Sequence, residues 1–425
     1  MLSYAEHGKF RSPTQGQQSM PRRKRGCFAS IRLRFLRRSR FKWIMGYTGA
    51  QWRTAAQSPQ SNEPNPDCAT RNPGYVLRMD FASDNTAGVA PAILDAIVAA
   101  NEGYALGYGN DDWTRQAEQR LSEIFEREVA AFLVPTGTAA NALALAQVTP
   151  PWGIVLCHAE SHIVTDECGA PEFFGGGLKL VGLPGDGGKI APETLQSALA
   201  HYRGHRPHQM IPAALSMTQA SEAGTIYRAG EIAALAEIAH ARSLAVHMDG
   251  ARFANALVRL NASPAEMTWR SGVDVLSFGA TKGGALAAEA VVFFDPERAA
   301  FMGERRKRAG QLLSKHRFIA AQMLAYLEED RWLTLARHAN AMADRLAQGL
   351  AAAGLPPIFP VEANLIFAIL PRALDAKLKA TGASYYARTR GGMDGGSDSV
   401  LVRLVTSFAT REEDVDRFVN HCKKS

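Results

Sequence analysis

The chain has 425 residues, 46% hydrophobic and 21% charged, the composition of an ordinary globular protein large enough for one major core and a smaller second one. No apolar run approaches the roughly 20 residues that a membrane-spanning helix needs, so no membrane partner is expected. The net charge of +7 invites a nucleic-acid reading, but residues 1–46 hold twelve Lys and Arg against Glu6 alone, leaving about −4 for the rest; the body carries no basic footprint and no nucleic-acid partner is expected.

In chain order, the basic arm 1–46 has three readings: an untidy leader from an upstream start, a solvated tail for anionic surfaces, or a targeting segment lacking a secretory apolar core. Residues 47–78, rich in Gln, Ser, Asn and Pro, read as a disordered linker. Five scattered cysteines (Cys27, Cys68, Cys157, Cys168, Cys422) form no CxxC pair and no metal-ligand spacing. They suggest free thiols in a reducing cytoplasm and no metal site.

From residue 79 amphipathic stretches at 117–128, 139–147, 192–203 and 229–242 predict helices. They alternate with seven short apolar runs bounded by turn residues, at 130–137, 153–161, 178–185, 213–219, 244–251, 273–281 and 289–294. The alternation predicts an α/β fold with a mostly parallel seven-stranded sheet covered by helices, filling a large domain at 79–325. The cationic run Arg305–Arg308 reads as a solvated helix face. Residues 326–425 predict a smaller α+β domain: helix 331–354, strand 363–370, helix 373–380, strand 399–407 and helix 411–422. Glycine-rich 390–398 reads as a hairpin loop, since no helix N-terminus follows to receive a phosphate.

Three strand ends carry chemistry. "VPTGTAAN" runs from a strand into a helix at Thr136, Gly137 and Thr138, where free amides and the helix dipole suit a phosphate; a plain Thr cap is the alternative. "VHMDGARF" delivers Asp249 at depth with Arg252 three residues on. An internal ion pair between them is one reading, and a carboxylate facing a protonated heteroaromatic nitrogen is the other. "LSFGATKGGA" places Lys282 among small residues that can neither pair with it nor cover it. In a parallel sheet the loops following strands gather at one edge. An amine, a carboxylate and a phosphate cradle brought together there match the needs of pyridoxal 5′-phosphate (PLP), and the small neighbours of Lys282 are then expected to leave room for it.

With those residues assembled, the chain from about Asp80 onward resembles the L-threonine aldolases of the fold-type I PLP enzymes. "FASDNT", "GYGNDDWTRQAEQRL", "PTGTAAN", "ESHIVTDECGAP", "DGARFANA" and "VRLVTS" resemble family motifs in family order. "TKGGALAAEAVVF", with Glu289, is similar to the bacterial low-specificity branch. The resemblance implies the fold-type I transferase fold and cleavage of L-threonine or L-allo-threonine to glycine and acetaldehyde. It implies Lys282 as the Schiff-base lysine, Asp249 as partner of the pyridine nitrogen, and Gly137 and Thr138 at the phosphate. His162 would stack on the ring and manage a proton, while His158 reads as structural. Arg403 would hold the substrate carboxylate, with Arg252 near it or near the cofactor's phenolic oxygen. Ser83 would lie at the substrate end, and Arg317 would reach the phosphate region of its own or a neighbouring subunit. A homodimer or homotetramer is implied with it.

Other fold-type I reactions share Lys282 and Asp249: β-elimination, transamination and hydroxymethyl transfer. A regulator that kept a PLP domain and grips DNA with its arm is the non-enzymatic alternative, although residues 1–46 hold no readable helix-turn-helix.

Overall fold

The computed structural model describes residues 79–202, 205–388 and 396–423. The basic arm, the 47–78 linker, Cys27, Cys68 and most of the glycine-rich 390–398 segment lie outside the described residues.

The strands in chain order are β1 (Met79–Asp80), β2 (Ala130–Val134), β3 (Gly153–His158), β4 (Lys179–Leu183), β5 (Ile211–Thr218), β6 (Ala245–Gly250), β7 (Val275–Gly279), β8 (Glu289–Phe293), β9 (Leu365–Pro371), β10 (Ala383–Ser384), β11 (Tyr386–Ala387) and β12 (Ser399–Val405). Seven of them form one sheet in the order β2-β8-β7-β6-β5-β3-β4. Only β8 runs against its neighbours. Strands β3, β6, β7 and β8 are buried at every residue, which is why they read as unbroken apolar runs rather than alternating ones. The expected mostly parallel seven-stranded sheet is the one observed.

The register fixes the functional edge. Asp249, next to last in β6, lies beside Thr218 of β5 and Ser277 of β7. Because β8 is reversed, its first residue, Glu289, lies between Val134 and Gly279, the last residues of β2 and β7. The loops after β2, β6 and β7 therefore leave the sheet at the same edge.

Helix Gly137–Val148 follows β2 directly, capped by Thr136, whose hydroxyl accepts from the Ala139 amide at 3.1 Å. Apart from Thr138, Asn141 and Gln147 it is built of small and apolar residues, and it is buried from Ala139 to Ala146, as befits a helix enclosed by protein. The helix expected from residue 117 begins at Asp112 instead, because Asp111 accepts from the Thr114 amide at 2.9 Å and so caps it. The run Arg305–Arg308 is not wholly a solvated face. Arg306 is buried and its Nη1 donates to the Leu133 carbonyl at 3.1 Å.

The main core clusters Phe125, Phe253, Phe278, Tyr326 and Trp332 beneath the sheet; Phe278 and Trp332 meet edge to face at 5.6 Å. A second core gathers Leu346, Ile366, Leu404 and Phe418 with Met79 and Phe81. Strand β1 enters it by pairing with β10, and Phe81 packs edge-on to Phe418 at 5.2 Å. The segment that follows β1 is thereby anchored on the second core and delivers Ser83 and Asp84 toward the sheet edge.

Candidate active site

The sheet edge opens into a cleft of about 610 Å³ whose lining includes Thr138, Asn141, His162, Asp249, Lys282 and Glu289. At its β2 end the Gly137 and Thr138 amides have no hydrogen-bond partner among the described residues. A Cβ added to Gly137 would meet nothing within 4 Å. Free donors at a helix start beside open space suit a phosphate or carboxylate.

Asp249 is held rather than merely buried. Its Oδ1 accepts from the Ala251 amide at 3.0 Å and its Oδ2 from Asn141 Nδ2 at 2.9 Å. Asn141 lies one turn into the capped helix, so the phosphate loop and the carboxylate are tied by one side chain. The same Nδ2 donates to Glu167 Oε1 at 2.8 Å, which lies 2.8 Å from His162 Nδ1. Burial raises the Glu167 carboxyl above its ordinary range. The bond to Glu167 raises the imidazole of His162 against the opposing effect of burial, with Asp249 and Glu222 adding to the rise.

The Lys282 amine, in the turn after β7, has no hydrogen-bond or ion-pair partner among the described residues. Of its small neighbours, Thr281 and Ala285 line the cleft as expected, but Gly283 and Gly284 are small for a different reason. A Cβ on Gly283 would overlap the Tyr326 hydroxyl, and Gly284, at φ +128°, is closely packed by Ala90 and Leu335. Protein fills that space, and the cleft opens on the other side of the lysine. Glu289 faces the same cleft, 6% exposed, accepting from the Thr281 amide at 3.3 Å. Burial pushes its carboxyl up to about 7, opposed by the Thr281 hydrogen bonds and the Lys282 charge.

The reading of an Asp249–Arg252 ion pair is overturned. Arg252 Nε and Nη2 donate to Asp84 Oδ2 and Oδ1 at 2.8 and 3.0 Å, and Asn364 Nδ2 donates to the same carboxylate at 3.1 Å. Burial works against the Asp84 charge, yet Arg252 and Lys282 bring its carboxyl below the usual range. Ser83 Oγ is engaged by its own turn, accepting from the Asn85 amide at 3.2 Å. Arg403, on β12, donates from Nη2 to the Ala82 carbonyl at 3.3 Å and lies over the Tyr386 ring at 5.6 Å. Its Nε is buried with no partner among the described residues. Burial, with Arg252 and Arg388 nearby, lowers it to about 10. A guanidinium so placed, with no carboxylate paired to it among the described residues, is suited to an incoming anion. Arg317 is not brought to the cleft; its Nη1 donates to the carbonyl of Gly103 at 3.3 Å. His158 is structural: Nε2 donates to the Gly185 carbonyl at 3.0 Å while Nδ1 accepts from the Glu160 amide at 3.1 Å.

Residues 80–372 match the family model described as beta-eliminating lyase. The low specificity L-threonine aldolase of Pseudomonas aeruginosa is 42% identical over 308 residues, 72% of this chain and 88% of that protein. The chain belongs to the beta-eliminating lyase family. A more distant relative is the low specificity L-threonine aldolase of Saccharomyces cerevisiae, 24% identical over 75% of this chain and 82% of its own. The solved structure of Leishmania major threonine aldolase superposes with a TM-score of 0.76 at 28% identity, covering 81% of this chain and 98% of that one. Within this family member, Asn141, Glu167 and Asp84 join the site although sequence reasoning gave them no role. Their signals were present: Asn141 is four residues past Gly137, Glu167 five past His162, and Asp84 directly follows Ser83.

Proposed function

We propose that this chain is a PLP-dependent L-threonine aldolase. It cleaves L-threonine, L-allo-threonine and related β-hydroxy-α-amino acids to glycine and an aldehyde by a retro-aldol reaction. The observation that carries the reading is the unpartnered Lys282 amine facing one cleft with Asp249 and the free amides of Gly137 and Thr138.

The residues present fit PLP. Gly137 and Thr138 would hold its phosphate with free donors and open space, Asp249 would face its ring nitrogen, and Lys282 would supply the amine for its aldehyde carbon. When bound, PLP supplies an electron sink for the pair released as the substrate Cα–Cβ bond breaks. Asp249, fixed by Asn141 and Ala251, would keep a proton on the ring nitrogen. Arg403 takes the substrate carboxylate and so orients the bond to be broken, positioning worth several kcal/mol of a barrier. Arg252 acts by holding Asp84 and adds to the positive field around Arg403, with Ser83 in the turn between them. His162 takes the proton of the β-hydroxyl, directly or through a water.

The active form is proposed to be a cytoplasmic homodimer or homotetramer, with Arg317 serving a neighbouring copy. Free thiols at Cys157, Cys168 and Cys422 support the compartment. Exposed Leu106 and Leu286, the latter lining the cleft, support a covering partner.

Purified protein given L-threonine should release acetaldehyde and glycine rather than a 2-oxo acid. Lys282→Ala should lose both that release and the visible absorbance of the lysine-bound cofactor. Acetaldehyde release undiminished in Lys282→Ala would refute the reading.

A further inference from the structure

Two carboxyl groups, Glu167 and Asp249, share one amide in the interior. Asn141 Nδ2 lies 2.8 Å from Glu167 Oε1 and 2.9 Å from Asp249 Oδ2, so each of its two hydrogens serves one carboxyl. All three residues are buried. Two neighbouring negative charges in a dry interior repel strongly unless something compensates one of them. Asp249 must keep its charge to hold the ring nitrogen's proton. Compensation at Glu167 can come from His162, whose Nδ1 lies 2.8 Å from Glu167 Oε1. The charged groups that act on the His162 ring are Glu167, Asp249, Glu222 and Lys282. Of these, Glu167 alone is hydrogen-bonded to it.

A carboxyl that accepts from Nδ1–H fixes the tautomer of an imidazole, leaves its other nitrogen as the base, and stabilises the ring once that nitrogen gains a proton. We propose that Glu167 is a positioning residue: it holds the Nδ1 proton of His162, directs Nε2 to the cleft as the proton-accepting atom, and is itself oriented by Asn141, which joins it to Asp249. The assignment rests on the aldolase reading of the site, because it names the atom of His162 that does the work in that reaction. It also explains two leftover atoms. Glu167 Oε2 and Asn141 Oδ1 are both buried without partners among the described residues, which is the arrangement expected when both groups are oriented by their other atoms alone.

The test uses wild-type cofactor-free protein first, since it needs neither turnover nor a variant that must fold. Ring ¹⁵N NMR of His162, assigned by the signal lost in His162→Asn, should show the neutral ring protonated at Nδ1. A ring protonated at Nε2 overturns the proposal. Glu167→Gln keeps the shape and removes the charge, so the His162 titration should move to lower pH in the cofactor-free protein. In the loaded enzyme the acidic limb of kcat/KM should move the same way, with kcat about 100-fold down and PLP affinity retained. Unchanged titration with unchanged kcat overturns it, because a purely structural glutamate would move only the melting temperature. The ring tautomer is read without any reaction. A wrong tautomer in an enzyme that releases acetaldehyde therefore refutes this inference alone, and the expected tautomer in a protein that releases none refutes only the aldolase reading.

Discussion

Arg252 holds Asp84 with two hydrogen bonds, 2.8 and 3.0 Å long, between side chains 7% and 1% exposed. The partners are 168 residues apart, and Asn364 reaches the same carboxylate from the second core's side. A pair this buried is not in itself a large net stabiliser, but breaking it leaves a lone charge in the interior. Asp84→Ala should therefore lower the stability of the cofactor-free protein by about 3–5 kcal/mol in urea unfolding. Asp84→Leu combined with Arg252→Met should recover most of that loss. A double variant as unstable as Asp84→Ala would show that the pair's geometry, not its desolvation, controls the fold.

The same pair marks where sequence reading stops. Strands such as Val275–Gly279 were legible because burial on both faces leaves a continuous apolar run. The positions of Gly137, Asp249 and Lys282 at strand ends followed from the parallel order. Partners did not follow. Arg252 lies three residues from Asp249, and local spacing favours that pairing; only the anchoring of β1 in the second core brings Asp84 in. Helix Phe253–Leu260 escaped notice because two turns are too short to establish a period. Asn141 and Glu167 sit in motifs readable as family signatures, at helical spacing from Gly137 and close to His162, yet the bonds that join them to each other and to Asp249 span 26 and 108 residues and are not given by that spacing.

Glu289 gives a pH dependence. Its ordinary carboxyl value is 4.5, and burial pushes it up to about 7. Between those values the folded protein keeps a proton that the unfolded chain has released. Stability therefore falls as pH rises through that window, and the penalty is complete above it. Glu289→Gln removes the ionisation. The cofactor-free variant should match wild type near the bottom of the window and exceed it by roughly 3 kcal/mol above the top. Melting temperatures measured across that range check it; a difference that does not grow with pH would mean Glu289 ionises freely.

Arg403 should show opposite signs in stability and function. Its guanidinium is lowered to about 10 by burial and by Arg252 and Arg388, and its Nε lacks a partner among the described residues. Arg403→Met should leave the cofactor-free protein equally stable or up to about 2 kcal/mol more stable. It should also raise KM for L-threonine about 10- to 100-fold, the worth of a lost charge-assisted hydrogen bond to the substrate carboxylate. Loss of stability without a rise in KM would make Arg403 a structural residue of the second core.

Gly283, packed behind Lys282, and Gly137, in the cleft wall, are glycine for contrary reasons, and alanine separates them. At Gly283 a Cβ would lie 2.7 and 2.8 Å from Tyr326 Cζ and Cε2. Tyr326 cannot yield, being 1% exposed and packed against Phe278 and Trp332. Gly283→Ala should cost about 1–3 kcal/mol in the cofactor-free protein through overpacking, and it should displace the adjacent Lys282. Adding Tyr326→Leu should make the double variant more stable than the sum of the single changes. At Gly137 a Cβ meets open space, and the residue opens a helix, so alanine there should be neutral or stabilising by up to about 1 kcal/mol. That open space faces the free amides, however, and a methyl group set beside them obstructs the approach of a phosphate. Gly137→Ala should weaken PLP binding in an absorbance titration while its melting temperature without PLP holds or rises. A Gly137→Ala protein that binds PLP as tightly as wild type would place the phosphate elsewhere on the cleft wall.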